Sequence, residues 1–151
     1  VAGASRVTSA TSADVLDTNV VTYLFDDADE HERAVAEHIV SDALVSGHAV
    51  VSHQVVQEAL NVLTRKLGAS TDDARRFLEA VLDPLWQIGP STDLYGTALD
   101  VRGRYGFSFY DALIVASALA AGCSRLLSED PQHGRRVGDL TIVDPFRVSG
   151  T

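Results

Sequence analysis

Val15-Leu16-Asp17-Thr18-Asn19-Val20-Val21 is the stretch on which the fold turns. An apolar strand breaks off at a carboxylate, and a helical segment starts at once. A charge at the tip of a buried strand is costly unless something positive neutralises it. In an open α/β sheet that tip is where ligands bind. Three more acids, Glu58, Asp111 and Asp130, stand at comparable junctions. Four carboxylates spread along one chain, each beside apolar segments, point to a site for a hard cation.

Strand-like and helix-like segments alternate on either side of that stretch. Ala49-Val50-Val51-Ser52, Trp86-Gln87-Ile88, Arg125-Leu126-Leu127-Ser128 and Leu140-Thr141-Ile142-Val143 read as further strands. Helices are expected over Glu32 to Val45, His53 to Leu67, Thr71 to Leu82, Ser91 to Tyr105 and Ser108 to Ala121. Gly47, Gly68, Gly106 and Gly122 follow four of them, as C-terminal glycines do. Short strands between helices of ten or more residues predict an α/β fold, with a five-stranded parallel sheet covered by helices on both faces.

The chain has 151 residues and is 46% hydrophobic, enough for one domain with a proper core. The most apolar stretch, Ala112 to Ala121, is too short to span a bilayer and reads as a buried helix. Val1 to Ala13 is rich in Ala, Ser, Thr and Gly and lacks the apolar core of a signal peptide. It is expected to be a flexible leader or a remnant of tagging, ahead of a single domain over residues 14–148. Cys123 is the only cysteine, which excludes an internal disulfide and a Cys-based zinc site and fits a cytoplasmic protein. The net charge of −9 argues against nucleic acid only if bulk charge decides. Bound cations and a local basic patch would offset it; its plain alternative meaning is solubility.

Each acid has two readings. Asp17 follows a strand directly, so it is a ligand or a helix N-cap. Glu58 borders the apolar stripe of its helix, with Gln54, Asn61 and Arg65 on its polar side. It is a half-shielded ligand or an ordinary solvated Glu paired with Arg65. Asp111 opens an almost wholly apolar helix, and Ser108-Phe109-Tyr110-Asp111 also fits a capping box with Asp in place of Glu. Asp130 follows a strand and precedes Pro131, so it is a ligand or a turn residue, with Glu129 as its adjacent competitor. Four such carboxylates brought together without a cation would repel, and some would have to stay protonated.

With these residues in view, the chain resembles the PIN-domain ribonucleases, in particular the VapC-like toxins of toxin–antitoxin pairs. The resemblance runs from about Asp14 to Phe146. It rests on Val15 to Asn19, on Glu58 within Ser52-His53-Gln54-Val55-Val56-Gln57-Glu58, on Phe109-Tyr110-Asp111-Ala112-Leu113-Ile114, and on Leu127-Ser128-Glu129-Asp130. It implies a PIN-like three-layer fold and a Mg²⁺- or Mn²⁺-dependent endoribonuclease. It implies that Asp17, Glu58, Asp111 and Asp130 hold the metal, with Thr18 or Asn19 and Ser128 orienting water or ligands. It further implies a homodimer and a small antitoxin whose C-terminal segment enters the groove, while Pro131 to Arg136 matches the family loop after the last acid. The leader is the departure, since family members start almost at the first strand.

Phosphate contacts are expected from basic residues near the site. Arg135 and Arg136, which follow Asp130 closely, lead that group, and Arg65, Lys66, Arg102 and Arg104 complete it; solvated surface charge is the alternative for each. Tyr110 and Phe107 are candidates to stack on a base, or core aromatics. The five histidines lack zinc spacing, and His133 alone lies close to the expected site. Two rival functions stay open. An aspartyl-nucleophile phosphohydrolase wants a second Asp two residues after the first, where this chain has Asn19. A catalytically silent interaction module needs no metal at all. Dinucleotide and P-loop sites are argued against by the absence of their glycine motifs.

Overall fold

The computed structural model describes residues 13–129 and 132–148. Of the expected leader only Ala13 falls among these, and it packs half-buried against the core. Asp130 lies outside the described residues.

Six strands form one sheet: β1 (Asp14–Leu16), β2 (Ala49–Ser52), β3 (Trp86–Ile88), β4 (Arg125–Leu127), β5 (Arg136–Val137) and β6 (Leu140–Val143). Their spatial order is β3-β2-β1-β4-β6-β5. The helices are α1 (Thr18–Thr22), α2 (Glu30–Ser46), α3 (His53–Arg65), α4 (Thr71–Phe77), α5 (Thr92–Tyr105) and α6 (Phe109–Ala120). A 3₁₀ turn, Tyr23–Phe25, follows α1, and α4 runs on through a π turn over Leu78–Leu82 into a last helical turn, Asp83–Leu85.

The five expected strands are all present and parallel to one another. The count of five is corrected by β5, which pairs antiparallel with β6 through Val137 and Leu140. Gly138, at φ 60°, makes the tight turn between them. The physical reason is simple: a two-residue strand with one buried apolar side chain has no alternation that a sequence can show.

Parallel strands covered on both faces are apolar throughout rather than alternating. All four residues of β2 are buried, and Val15 and Leu16 are fully enclosed. Val20 and Val21 of α1, Val55 and Leu63 of α3 and Val115 of α6 close over the sheet.

Register sets the ends of the strands in line. Leu16 pairs with Leu127, and Leu127 with Val143. The chain fills one side of β1 with β2 and β3, then crosses to its other side for β4. The direction of winding therefore reverses between β1 and β4, and the crevice at such a reversal is where an α/β sheet receives ligands. Asp17 and Ser128 are the first residues beyond those two strands.

Candidate active site

Asp17 is held from three directions. Its backbone N–H extends the ladder to the Leu127 carbonyl at 2.9 Å. Its Oδ1 accepts from the Thr18 N–H at 2.7 Å, so the side chain does cap α1. Its Oδ2 accepts from the Ser128 hydroxyl at 2.6 Å. Ser128 is almost completely buried, and its own N–H bonds the Val143 carbonyl, which fixes that hydroxyl against the sheet.

The neighbouring residues of the motif carry the next contacts. The Thr18 hydroxyl donates to Glu58 Oε1 at 2.5 Å, tying α1 to α3. Glu58 is half-buried and takes this partner rather than Arg65. The Asn19 amide brackets the segment after β4: its Oδ1 accepts from the Glu129 N–H at 3.1 Å, and its Nδ2 lies 3.5 Å from both the Ser128 hydroxyl and the Glu129 carbonyl. Asn19 is thereby committed to the backbone, which leaves it no resemblance to the acid/base of an aspartyl phosphohydrolase.

Asp111 sits in the first turn of α6, exposed, with its N–H accepted by the Ser108 hydroxyl at 3.3 Å. The serine half of the expected capping box is formed, while the carboxylate faces solvent.

Glu58 and Asp111 lie close enough to Asp17 for their charges to act on it. The carboxyl of Asp17 is held above the usual carboxylate range, first by burial. The Ser128 hydroxyl and the Thr18 N–H oppose that rise, and the charges of Glu58 and Asp111 add to it. No cationic side chain among the described residues pairs with any of the three. Nor, among the described residues, do three Asp, Glu, His or Cys side chains converge into a closed metal cage. Mg²⁺ does not ask for such a cage, because it keeps several waters and binds through one or two carboxylates. Oxygen donors alone, two of them placing like charge beside the Asp17 carboxyl, fit a hydrated hard cation.

Two contributors lie outside the expected set. Tyr23 donates its hydroxyl to Glu129 Oε1 at 2.5 Å while its ring meets Phe146 edge-on at 4.9 Å. Tyr23 lies four residues after Asn19, and both reach the segment after β4, a relation that helical spacing makes visible. Gln54, which the helical wheel had put on the polar side of α3, is buried instead, and its Nε2 donates to the Tyr110 carbonyl at 3.2 Å.

The basic residues divide. Arg135 is engaged within the protein: it donates to the Tyr105 carbonyl at 2.5 Å and to Gln132 Oε1 at 3.0 Å, and it lies over the Phe107 ring at 4.4 Å. Arg136, Arg102 and Arg104 are exposed. Phe107 is buried under Arg135, whereas Tyr110 is 64% exposed beside Asp111. The His133 Nδ1 accepts the Asp144 N–H at 2.9 Å.

Similar architecture occurs in solved structures. Mycobacterium tuberculosis VapC20, described as a sarcin–ricin-loop-cleaving toxin, has a TM-score of 0.61 and 20% identity, with 79% of this chain and 91% of that one covered. A toxin–antitoxin complex from Klebsiella pneumoniae gives a TM-score of 0.67 at 19% identity, covering 91% and 100%. VapBC2 from Rickettsia felis, solved on a DNA fragment of its promoter, gives 0.64 at 16%, covering 86% and 96%. At these identities the likeness is one of fold. No curated protein matches the chain significantly. The sequence model of the PIN domain matches residues 15–139, which takes in Asp17, Glu58, Asp111 and Asp130 together. With most of its length so matched, this chain belongs to the PIN-domain family.

Proposed function

We propose that the chain is a Mg²⁺- or Mn²⁺-dependent endoribonuclease and the toxin of a toxin–antitoxin pair. One observation carries the reading: Asp17, at the switch point of the sheet, shares its surroundings with the charges of Glu58 and Asp111 and has no cationic partner among the described residues. A bound divalent ion would lower the pKa of a water and offset charge on the scissile phosphate.

The chain's own residues do the remaining work. Asp17, Glu58 and Asp111, with Asp130 as the fourth acid of the family pattern, would hold the ion directly or through waters. Ser128 and the Thr18 N–H keep the Asp17 carboxylate facing one way, and the Thr18 hydroxyl does the same for Glu58. Asn19 fixes the backbone just before Asp130. Exposed Arg102, Arg104 and Arg136 supply phosphate contacts; Arg135 is less free for that role.

The partner reading draws support from the neighbours. A neighbour solved as a toxin–antitoxin complex supports a small antitoxin that covers the site, and a homodimer and a cytoplasmic setting belong to the same reading. Among the described residues no helix is long and apolar enough to cross a membrane. The decisive assay is cleavage of structured RNA with Mg²⁺, with EDTA, and by Asp17→Asn. Loss in the last two is expected. Equal cutting in all three would end the proposal.

A further inference from the structure

Gln54 lies in the first turn of α3, one turn before Glu58 on the same face of the helix. It is 5% exposed. Its Nε2 donates to the carbonyl of Tyr110, the residue before Asp111. Its Oε1 is buried and has no hydrogen-bond partner among the described residues. A buried amide with half its capacity unused is costly, and an apolar side chain would fill the position at lower cost. What the amide provides instead is a strut. The Ser108 hydroxyl caps the first turn of α6 only locally, and the Tyr110 ring stands in solvent, so neither ties that turn to α3.

We propose that Gln54 is a positioning residue: by tying the first turn of α6 to α3 it fixes the separation of the Asp111 and Glu58 carboxylates. This rests on the metal-site reading above. Groups that orient ligands from behind are worth about 10–100-fold in metal affinity.

The test uses the full chain. Mn²⁺ is titrated calorimetrically into the wild type and into Gln54→Met, which keeps the apolar volume but cannot donate. Gln54→Asn, which keeps the amide but falls one methylene short of Tyr110, serves as the second variant should Gln54→Met not fold. The expected result is a Mn²⁺ affinity about tenfold weaker or more, with kcat for RNA cleavage reduced and KM for RNA unchanged. In the Asp111→Asn background the Gln54 substitution should add little, because its effect runs through Asp111. A role confined to packing would lower the melting temperature and leave Mn²⁺ affinity alone. Unchanged Mn²⁺ affinity in the folded variants, or full additivity with Asp111→Asn, would overturn the strut. A wild type that binds no Mn²⁺ would overturn the metal site itself, and the strut with it.

Discussion

The strand β1 is three residues long, starts at one acid and is followed directly by another, and the two ends are treated in opposite ways. At its start, Asp14 meets Arg125 of the neighbouring β4, whose Nε and Nη2 donate to the two carboxylate oxygens at 3.0 and 2.6 Å. The pairing raises the Arg125 pKa, chiefly through that hydrogen bond. Just past its other end, Asp17 has a hydroxyl and an N–H but no guanidinium, and its nearest charges are of its own sign. One sheet thus neutralises the carboxylate at the start of β1 and leaves the one beyond its end beside like charges at the switch point. A protein selected for stability alone would treat both ends alike. In the function proposed above, that second end is where the divalent cation would bind.

Replacing Asp17 breaks the comparison most severely. Asp17→Asn keeps an acceptor for the Thr18 N–H but removes the charge. RNA cleavage should fall by about a thousand-fold or more, the order expected when several kcal/mol of metal-derived stabilisation are lost. Stability should move the other way. Because burial and like charges raise the folded pKa, the folded chain keeps this proton at pH values where the unfolded chain has released it. The folded state then binds more protons, and stability falls as pH climbs from the ordinary carboxylate pKa of about 3.9 through the raised one. In metal-free buffer the variant should match the wild type at low pH and melt higher at neutral pH. A gain of roughly 2–4 °C would correspond to about 1 kcal/mol in a domain of this size. A lower melting temperature at every pH would mean that the charge is already compensated.

If the proposed metal site is right, adding a divalent cation should close the gap between the two ends. A ligand at 100 times its Kd stabilises by about 2.7 kcal/mol, which is roughly 5–10 °C here. Mn²⁺ should therefore raise the melting temperature of the wild type and leave Asp17→Asn almost unmoved. Equal shifts in both proteins would place the ion elsewhere.

The sequence made this end of the molecule legible to different depths. Asp17 could be read directly, because an apolar run ending in Asp-Thr-Asn exposes its strand tip in the linear order. The five parallel strands and the long helices were equally open, since short apolar segments alternate with long helical ones that end at glycines. Ser128 and Thr18 came only with the family pattern; Ser128 reaches Asp17 because β4 lies beside β1, more than a hundred residues away in the chain, and the Thr18 hydroxyl meets Glu58 only because α3 packs against α1. Gln54 was misplaced because a helical wheel ranks faces by polarity, and a buried amide that bonds a distant carbonyl looks like a surface residue. Tyr23 was missed for a related reason, its partner being Glu129 across the sheet. β5 was too short to carry any pattern.

The opposite end gives a smaller and purely structural effect. Arg125→Ala leaves the Asp14 carboxylate, only 15% exposed, without its partner. Arg125 is itself half exposed, so solvent screening limits the cost to about 1 kcal/mol. Urea unfolding should register that loss while RNA cleavage and the Mn²⁺ shift stay at wild-type values. A change in Mn²⁺ affinity would show that the two ends of β1 are coupled, and the contrast between them would lose its force.

The smallest expected effect separates two adjacent arginines. Arg135 is held by the Tyr105 carbonyl and lies against Phe107, whereas Arg136 projects from an edge strand into solvent. If Arg136 meets an RNA phosphate, Arg136→Ala should weaken binding about equally for all sequences and lower the salt dependence of log K by about 1. Arg135→Ala should act mainly on stability, because it removes a cation–π contact and two hydrogen bonds and bares the edge of Phe107. Measuring RNA binding against salt for both variants, beside their urea midpoints, distinguishes the roles. The reverse outcome, with Arg135 setting the salt slope, would mean that its contacts to Tyr105 and Gln132 open when RNA arrives. The basic edge would then be assembled by the substrate rather than already in place.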